Sequence, residues 1–234
     1  MQRVATVLGV KTSAETPKVS AIEKKVLALG ERAVKDGWGC NDIILPHRIT
    51  ETELASSLRH QGVPQRIIDN VKSTLKKTSS TDAVKRFLKS PKEAWCLVLS
   101  GPKGCGKSTA AAHFLAEKTK SMVSAPPRDM QWWTAARVAR VSGYTEHLEK
   151  MMKVPVMVID DLGVEYMDKN GYFNHRLDEL IDERYSNYRK TIITTNLNAQ
   201  DFTARYTERV TSRIKEGFKH GGPWFVHIDE KSLR

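Results

Sequence analysis

Apolar residues follow two rhythms along this chain, and the change comes near Pro91. Before it they recur at helical spacing. Ile22, Val26, Leu29, Ala33 and Val34 form one stripe, which Gly37 and Gly39 stop. A second helix opens at Thr50, whose hydroxyl can cap the turn while Glu53 reaches back, with Leu54 and Leu58 facing inward. Gly62-Val63-Pro64 ends it. Thr78-Ser79-Ser80-Thr81 punctuates the next stretch, and residues 82–89 read as a short helix. Residues 1–18 carry Thr, Ser, Glu and Pro without periodicity and read as a loose tail.

After Pro91 the apolar positions become continuous. Trp95-Cys96-Leu97-Val98-Leu99-Ser100 is the run expected of a central parallel strand. It feeds into Gly101-Pro102-Lys103-Gly104-Cys105-Gly106-Lys107-Ser108, a complete G-x-x-x-x-G-K-S, and an amphipathic helix follows from Thr109 to about Lys120. Glycines there let successive N–H groups turn onto phosphate oxygens, and the helix N-terminus adds a favourable dipole. Lys107 brings a charge to the β and γ phosphates, and the Ser108 hydroxyl suits Mg²⁺. Cys105 reads as a small filler rather than a reactive thiol. The loop is a nucleotide site for ATP.

A second strand, Val154-Pro155-Val156-Met157-Val158-Ile159, ends in Asp160-Asp161-Leu162-Gly163. Adjacent acids closing a buried strand need a cation, because desolvated carboxylates are costly. Mg²⁺ meets that need: Asp160 is expected to bind it, and Asp161 to orient the attacking water. Leu177, Leu180, Ile181, Tyr185 and Tyr188 mark one helix face. Lys190-Thr191-Ile192-Ile193-Thr194-Thr195-Asn196 reads as another buried strand. Ligands sit at the carboxyl ends of parallel strands, so Asn196 is expected to hold the attacking water or the γ-phosphate, or else is a plain turn residue. Further on, Glu208-Arg209-Val210-Thr211-Ser212-Arg213-Ile214 puts two arginines one helical turn apart.

Composition narrows the class. The 234 residues are 40% hydrophobic and 28% charged, suited to a soluble globular protein. No apolar run is long enough to cross a bilayer, and Met1–Val10 lacks a convincing cleavage site for secretion. Cys40, Cys96 and Cys105 show neither zinc nor disulfide spacing, which points to a cytoplasmic protein without zinc. The formal charge is +11, and most of it lies early: residues 1–92 hold 17 Lys+Arg against 9 Asp+Glu, residues 93–234 hold 21 against 18. Such an excess is either a solvated lysine-rich surface or a module that meets nucleic acid or an acidic partner. The expected organisation is a basic helical module over 1–60, a lead-in over 61–92 and an ATPase domain over 93–234.

The motifs GPKGCGKS, VIDDLG, RYSNYRKTIITTNL and ERVTSRI together resemble the AAA+ helicase loaders DnaC and DnaI and the related transposition ATPase IstB. The resemblance covers about Gly62 to Arg234, including Gly62-Val63-Pro64-Gln65-Arg66, which is similar to a segment preceding the core in that family. It implies an α/β fold of AAA+ P-loop type, with a parallel sheet flanked by helices. It makes Asn196 the sensor 1 residue and Arg213 an arginine finger reaching a neighbouring subunit's ATP, with Arg209 beside it. Nucleotide contacts would come from Gly101 to Thr109 and Arg66, and Arg234 sits where a sensor 2 arginine would fall. The second acid is Asp161 rather than glutamate, which implies slow, switch-like hydrolysis; Glu165 could assist, or is a surface loop residue.

Three functions fit these residues. The first is an ATP-dependent loader placing a replicative ring helicase on single-stranded DNA, with self-association through the ATP sites. The second is a transposition helper assembled on duplex DNA, and the third a small P-loop kinase, which gives no reason for ERVTSR. Trp132 and Trp133, with Arg128, Arg137 and Arg140, are either core at a helix start or a stacking surface for single-stranded DNA.

Overall fold

The computed structural model describes residues 49–72, 77–121, 130–141, 143–166, 171–216 and 225–229. The expected tail, the helix over 22–34, Cys40, Arg128 and Arg234 lie outside them. Among the described residues, β1 (Cys96–Ser100), β2 (Met130–Thr134), β3 (Val156–Leu162), β4 (Lys190–Thr195) and β5 (Phe225–His227) form one parallel sheet in the order β2-β3-β4-β1-β5. No helix among them is long and apolar enough to cross a membrane. The chain leaves β1, crosses to the far edge, and steps back through β3 and β4.

Alternate strand residues face opposite sides, so a sheet buried on both faces needs two apolar layers. Leu97, Leu99, Val156, Val158 and Ile192 join α1 (Glu51–His60), α2 (Gln65–Lys72), α3 (Ser79–Lys89) and α4 (Lys107–Ser121) on one side. Cys96, Val98, Met157, Ile159 and Ile193 meet the other layer: α5 (Ala135–Val141), α6 (Thr145–Lys153), α7 (Tyr172–Ser186), α8 (Ala199–Arg205) and α9 (Glu208–Glu216). This is the α/β architecture expected of the motifs. The Ala110-Ala111-Ala112 run, wholly buried on α4, brings that helix close to the sheet.

Two expectations change. Trp132 and Trp133 lie in β2, not at a helix start, and both are buried. They point into opposite layers, Trp132 with α1–α4 and Trp133 with α5–α9, so they are core. The boundary placed between residues 60 and 61 runs through packed structure. The unit holding the sheet begins at Arg48, and Ala55 and Leu58 of α1 are buried in its core. The Thr50–Glu53 capping box forms as expected. After α1 the chain covers the β2 edge: Trp132 N donates to Gln61 O at 2.7 Å. Gly62 makes this approach possible. Its φ is +94°, and a Cβ there would lie 2.9 Å from the Trp132 carbonyl oxygen.

At the amino ends of the strands, Arg184 of α7 is fully buried. It donates to Thr191 Oγ1 at 2.8 Å, to Met151 O and Val154 O at 2.7 Å, and to Lys190 O at 2.9 Å. One guanidinium thus ties the end of α6 to the starts of β3 and β4. Burial pulls its pKa down to about 9.

A chain beginning at Arg48 is expected to fold and bind ATP, whereas one beginning at Gln61 loses the α1 side of the core. Losing Leu58 alone should cost about 2–5 kcal/mol, or roughly 2–4 °C of unfolding midpoint per kcal/mol at this size. Thermal unfolding of the two truncations checks this; equal midpoints would place α1 outside the core.

Candidate nucleotide-binding site

The carboxyl ends of β1, β3 and β4 converge on one loop. Gly101–Gly106 leaves β1 and opens α4 at Lys107, two residues earlier than the expected helix start. Gly101 has φ +143°, and a Cβ on it would meet Ile228 O at 2.5 Å, so the segment after β5 packs directly behind the loop. Ile228 N donates to Ser100 O at 2.9 Å and fixes that packing. Pro102 and Lys103 are exposed at the tip, and Gly104, Gly106, Ser108 and Thr109 are half-buried. Cys105 is buried, with its Sγ 3.7 Å from Lys107 Nζ, in keeping with a filler.

Lys107 is buried without an acid beside its ammonium. Its Nζ donates to Gly101 O at 2.7 Å, Pro102 O at 2.8 Å and Asn196 Oδ1 at 3.0 Å. Three neutral acceptors satisfy three donors, leaving the positive charge uncompensated and open to an anion. Asn196, just past β4, thus contacts the loop through Lys107.

Ser108 Oγ donates to Asp160 Oδ1 at 2.8 Å, and Thr194 Oγ1 donates to the same oxygen at 2.6 Å. Burial pushes the Asp160 carboxyl above its ordinary range, against the lowering effect of these two hydroxyls. The folded site thus holds a proton more tightly than the unfolded chain, so Asp160 costs the empty fold stability as pH rises past the ordinary carboxylate value. A buried carboxylate beside a hydroxyl is a hard-oxygen set, and the residues fit Mg²⁺.

Asp161 has φ +58°, and the β3–β4 register shifts between Ile159 and Leu162. This bulge turns Asp161 out of the ladder, which otherwise would alternate it to the far face. Its N–H donates to Thr194 Oγ1 at 2.9 Å. Glu165 is no surface residue: its side chain is fully buried. Its carboxylate accepts from Gly163 N at 2.6 Å, Arg205 Nε at 3.0 Å and Tyr206 Oη at 2.8 Å. It is occupied with holding the turn after Asp161, so assistance to a water is not its place.

The remaining residues stand apart. Arg209 and Arg213 on α9 both pair with Asp182 of α7. Arg66 is exposed in the first turn of α2. Sequence reasoning missed Thr194 as a ligand of Asp160, and it missed His227, whose Nδ1 is 3.0 Å from Ser100 Oγ at the root of the loop. The threonines closing β4 were the available signal for the first; for His227 there was none.

Residues 76–234 match the family described as IstB-like ATP binding protein. Over 126 residues the chain is 31% identical to the replicative helicase loader DnaC of Escherichia coli strain K12, across 51% of this chain and 50% of that protein. The chain thus matches about half the length of these curated relatives. A crystal structure of the DnaC helicase loader is similar with TM-score 0.51 at 22% identity, over 71% of this chain and 100% of that one. A crystal structure of DnaI gives 0.54 at 21%, over 70% and 94%. These two likenesses establish the fold.

Asp160→Asn keeps an acceptor for Ser108 and Thr194 while removing the buried charge. It is expected to raise the nucleotide-free unfolding midpoint, by about 2–4 °C per kcal/mol relieved, and to abolish Mg²⁺-dependent ATP affinity. A lowered midpoint would contradict the desolvation argument.

Proposed function

The chain belongs to the IstB-like ATP-binding protein family, and on that premise we propose that it is an ATP-switched loader of a replicative ring helicase onto single-stranded DNA. Similarity to DnaC supports a DnaC-like ATPase. The observation that carries the site reading is the convergence of Lys107, Ser108, Asp160 and Asn196 at the strand ends.

In this reading the backbone from Gly101 to Thr109 cradles the phosphates. Lys107 gives up the Gly101 and Pro102 carbonyls for β- and γ-phosphate oxygens and keeps Asn196, which thereby senses the γ-phosphate. Ser108 and Asp160 hold Mg²⁺, which neutralises charge on the phosphates. Asp161, aimed outward by the bulge, orients the water. Its short carboxylate suits slow turnover, as a switch needs. Arg213, with Arg209 beside it, stabilises charge on a neighbouring subunit's γ-phosphate. The helical N-terminal module over 1–60 supplies the grip on the helicase.

The family match itself favours a second reading, a transposition helper on duplex DNA. Co-purification with a replicative helicase, in ATP and in ADP, separates the two: nucleotide-dependent capture supports the loader, and capture in neither state removes it.

For the chemistry, Asp161→Asn is expected to bind ATP and lose hydrolysis. Arg213→Ala should bind ATP normally and lose about 10²-fold or more in turnover. Mixing Arg213→Ala with Lys107→Ala should restore part of the activity, because some interfaces then pair an intact loop with an intact arginine. No recovery at any ratio, with both proteins folded and co-assembling, would contradict action between subunits.

A further inference from the structure

One carboxylate on α7 holds both arginines of α9. Asp182 Oδ2 is 2.6 Å from Arg209 Nη2, and Asp182 Oδ1 is 2.5 Å from Arg213 Nη2. Positions four apart on a helix share a face, which brings the two guanidiniums to one acid. The backbone under them is anchored. Thr207 Oγ1 donates to Asp178 Oδ1 at 2.5 Å, Tyr185 Oη to Glu216 Oε2 at 2.8 Å, and Trp95 Nε1 to Arg213 O at 3.3 Å. With α9 fixed, what can change is the arginine side chains.

Arg213 is turned inward. Its side chain is 19% exposed, against 59% for Arg209. Its guanidinium carbon lies 5.7 Å from the Tyr185 ring, and its buried Nη1 has no hydrogen-bond partner among the described residues. A buried charged donor left unpaired costs stability, so this seat satisfies Arg213 only in part. The two guanidiniums also share the single carboxylate that pairs with them, so neither has an acid to itself. The cluster therefore still attracts an anion carrying more charge and more oxygens than a carboxylate.

We infer that Asp182 is an intramolecular stand-in for the γ-phosphate: it stows the arginine pair in the free chain and yields it when a second copy brings its ATP against α9. This rests on the reading that Arg213 acts between subunits. The exchange is easy on physical grounds. Asp182 is 32% exposed, so water takes over its oxygens once the arginines leave. A partly exposed ion pair holds weakly, whereas a phosphate offers several charge-assisted bonds to a guanidinium fork. Asp182 thus sets how much protein is needed before hydrolysis begins, without touching the nucleotide.

The test is Asp182→Asn in the full chain, with turnover measured across protein concentration and ATP affinity measured separately. The concentration giving half-maximal turnover should fall at least about threefold, the size of a partly exposed ion pair, with ATP affinity unchanged. The gain should vanish in the Arg213→Ala background, which a general loosening of the α7–α9 contact would not produce. Asp182→Glu, which keeps the charge, should return the wild-type concentration dependence. An unchanged or higher half-maximal concentration, a lower plateau, or a gain that survives Arg213→Ala overturns the inference. Should Asp182→Asn fail to fold, Asp182→Ser is judged by the same criteria. Full turnover by Arg213→Ala alone would instead defeat the inter-subunit arginine itself, a failure distinct from that of Asp182.

Discussion

A carboxylate buried at the end of β3 organises the upper edge of this sheet. Asp160 accepts from Ser108 on α4 and Thr194 on β4, so one oxygen joins β3 to the helix after the glycine loop and to β4. Burial disfavours its charge, and the two hydroxyls only partly offset that. The rest of the site follows from the same demand for positive charge. Lys107 favours the charged carboxylate only weakly and from outside bonding distance, and its ammonium bonds to the neutral oxygens of Gly101, Pro102 and Asn196. The bulge at Asp161 takes that residue out of the β3–β4 ladder and leaves it half-buried. Glu165 then pins the turn that follows, bound in its own cluster with Arg205 and Tyr206.

The amino edge of the sheet is held by the opposite sign. Arg184, which pairs with no acid among the described residues, spends its donors on the carbonyls of Met151 in α6, Val154 two residues ahead of β3, and Lys190 in β4. Lys190 does similar work beneath α3 and β1, donating to Pro91 O and Ala94 O at 2.7 Å. Burial draws its pKa down to about 8. Clamping of the strand starts by cations fixes the frame from which the side chains at the carboxyl edge project.

What could be read from the sequence was whatever is local. The phosphate loop was legible because glycines, lysine and serine sit at fixed offsets between an apolar strand and a helix. Asp160 and Asp161 were legible as a pair, but not the bulge that gives them different surroundings. The tryptophans are core, one of the two readings open to them, but their strand was taken for a helix start because β2 is buried on both faces and alternation leaves no apolar–polar pattern to read. Glu165 looked like a loop residue since Arg205 and Tyr206 arrive from far along the chain. The cut at residue 60 followed the helix break at Gly62-Val63-Pro64, where the family resemblance also begins, whereas α1 belongs to the core through two buried side chains, Ala55 and Leu58. Asp182 carried no signal, being one acid among several on a polar helix face.

The account's central claim is that Lys107, Asn196, Ser108 and Asp160 form one site for ATP with a divalent cation. Calorimetric titration of the wild-type chain with ATP, in Mg²⁺ and then in excess chelator, tests it most directly. The account requires binding at least about tenfold tighter with the metal, a difference of about 1.4 kcal/mol. Equal affinity in both conditions would mean that the Ser108–Asp160 pair holds no cation, and would contradict it.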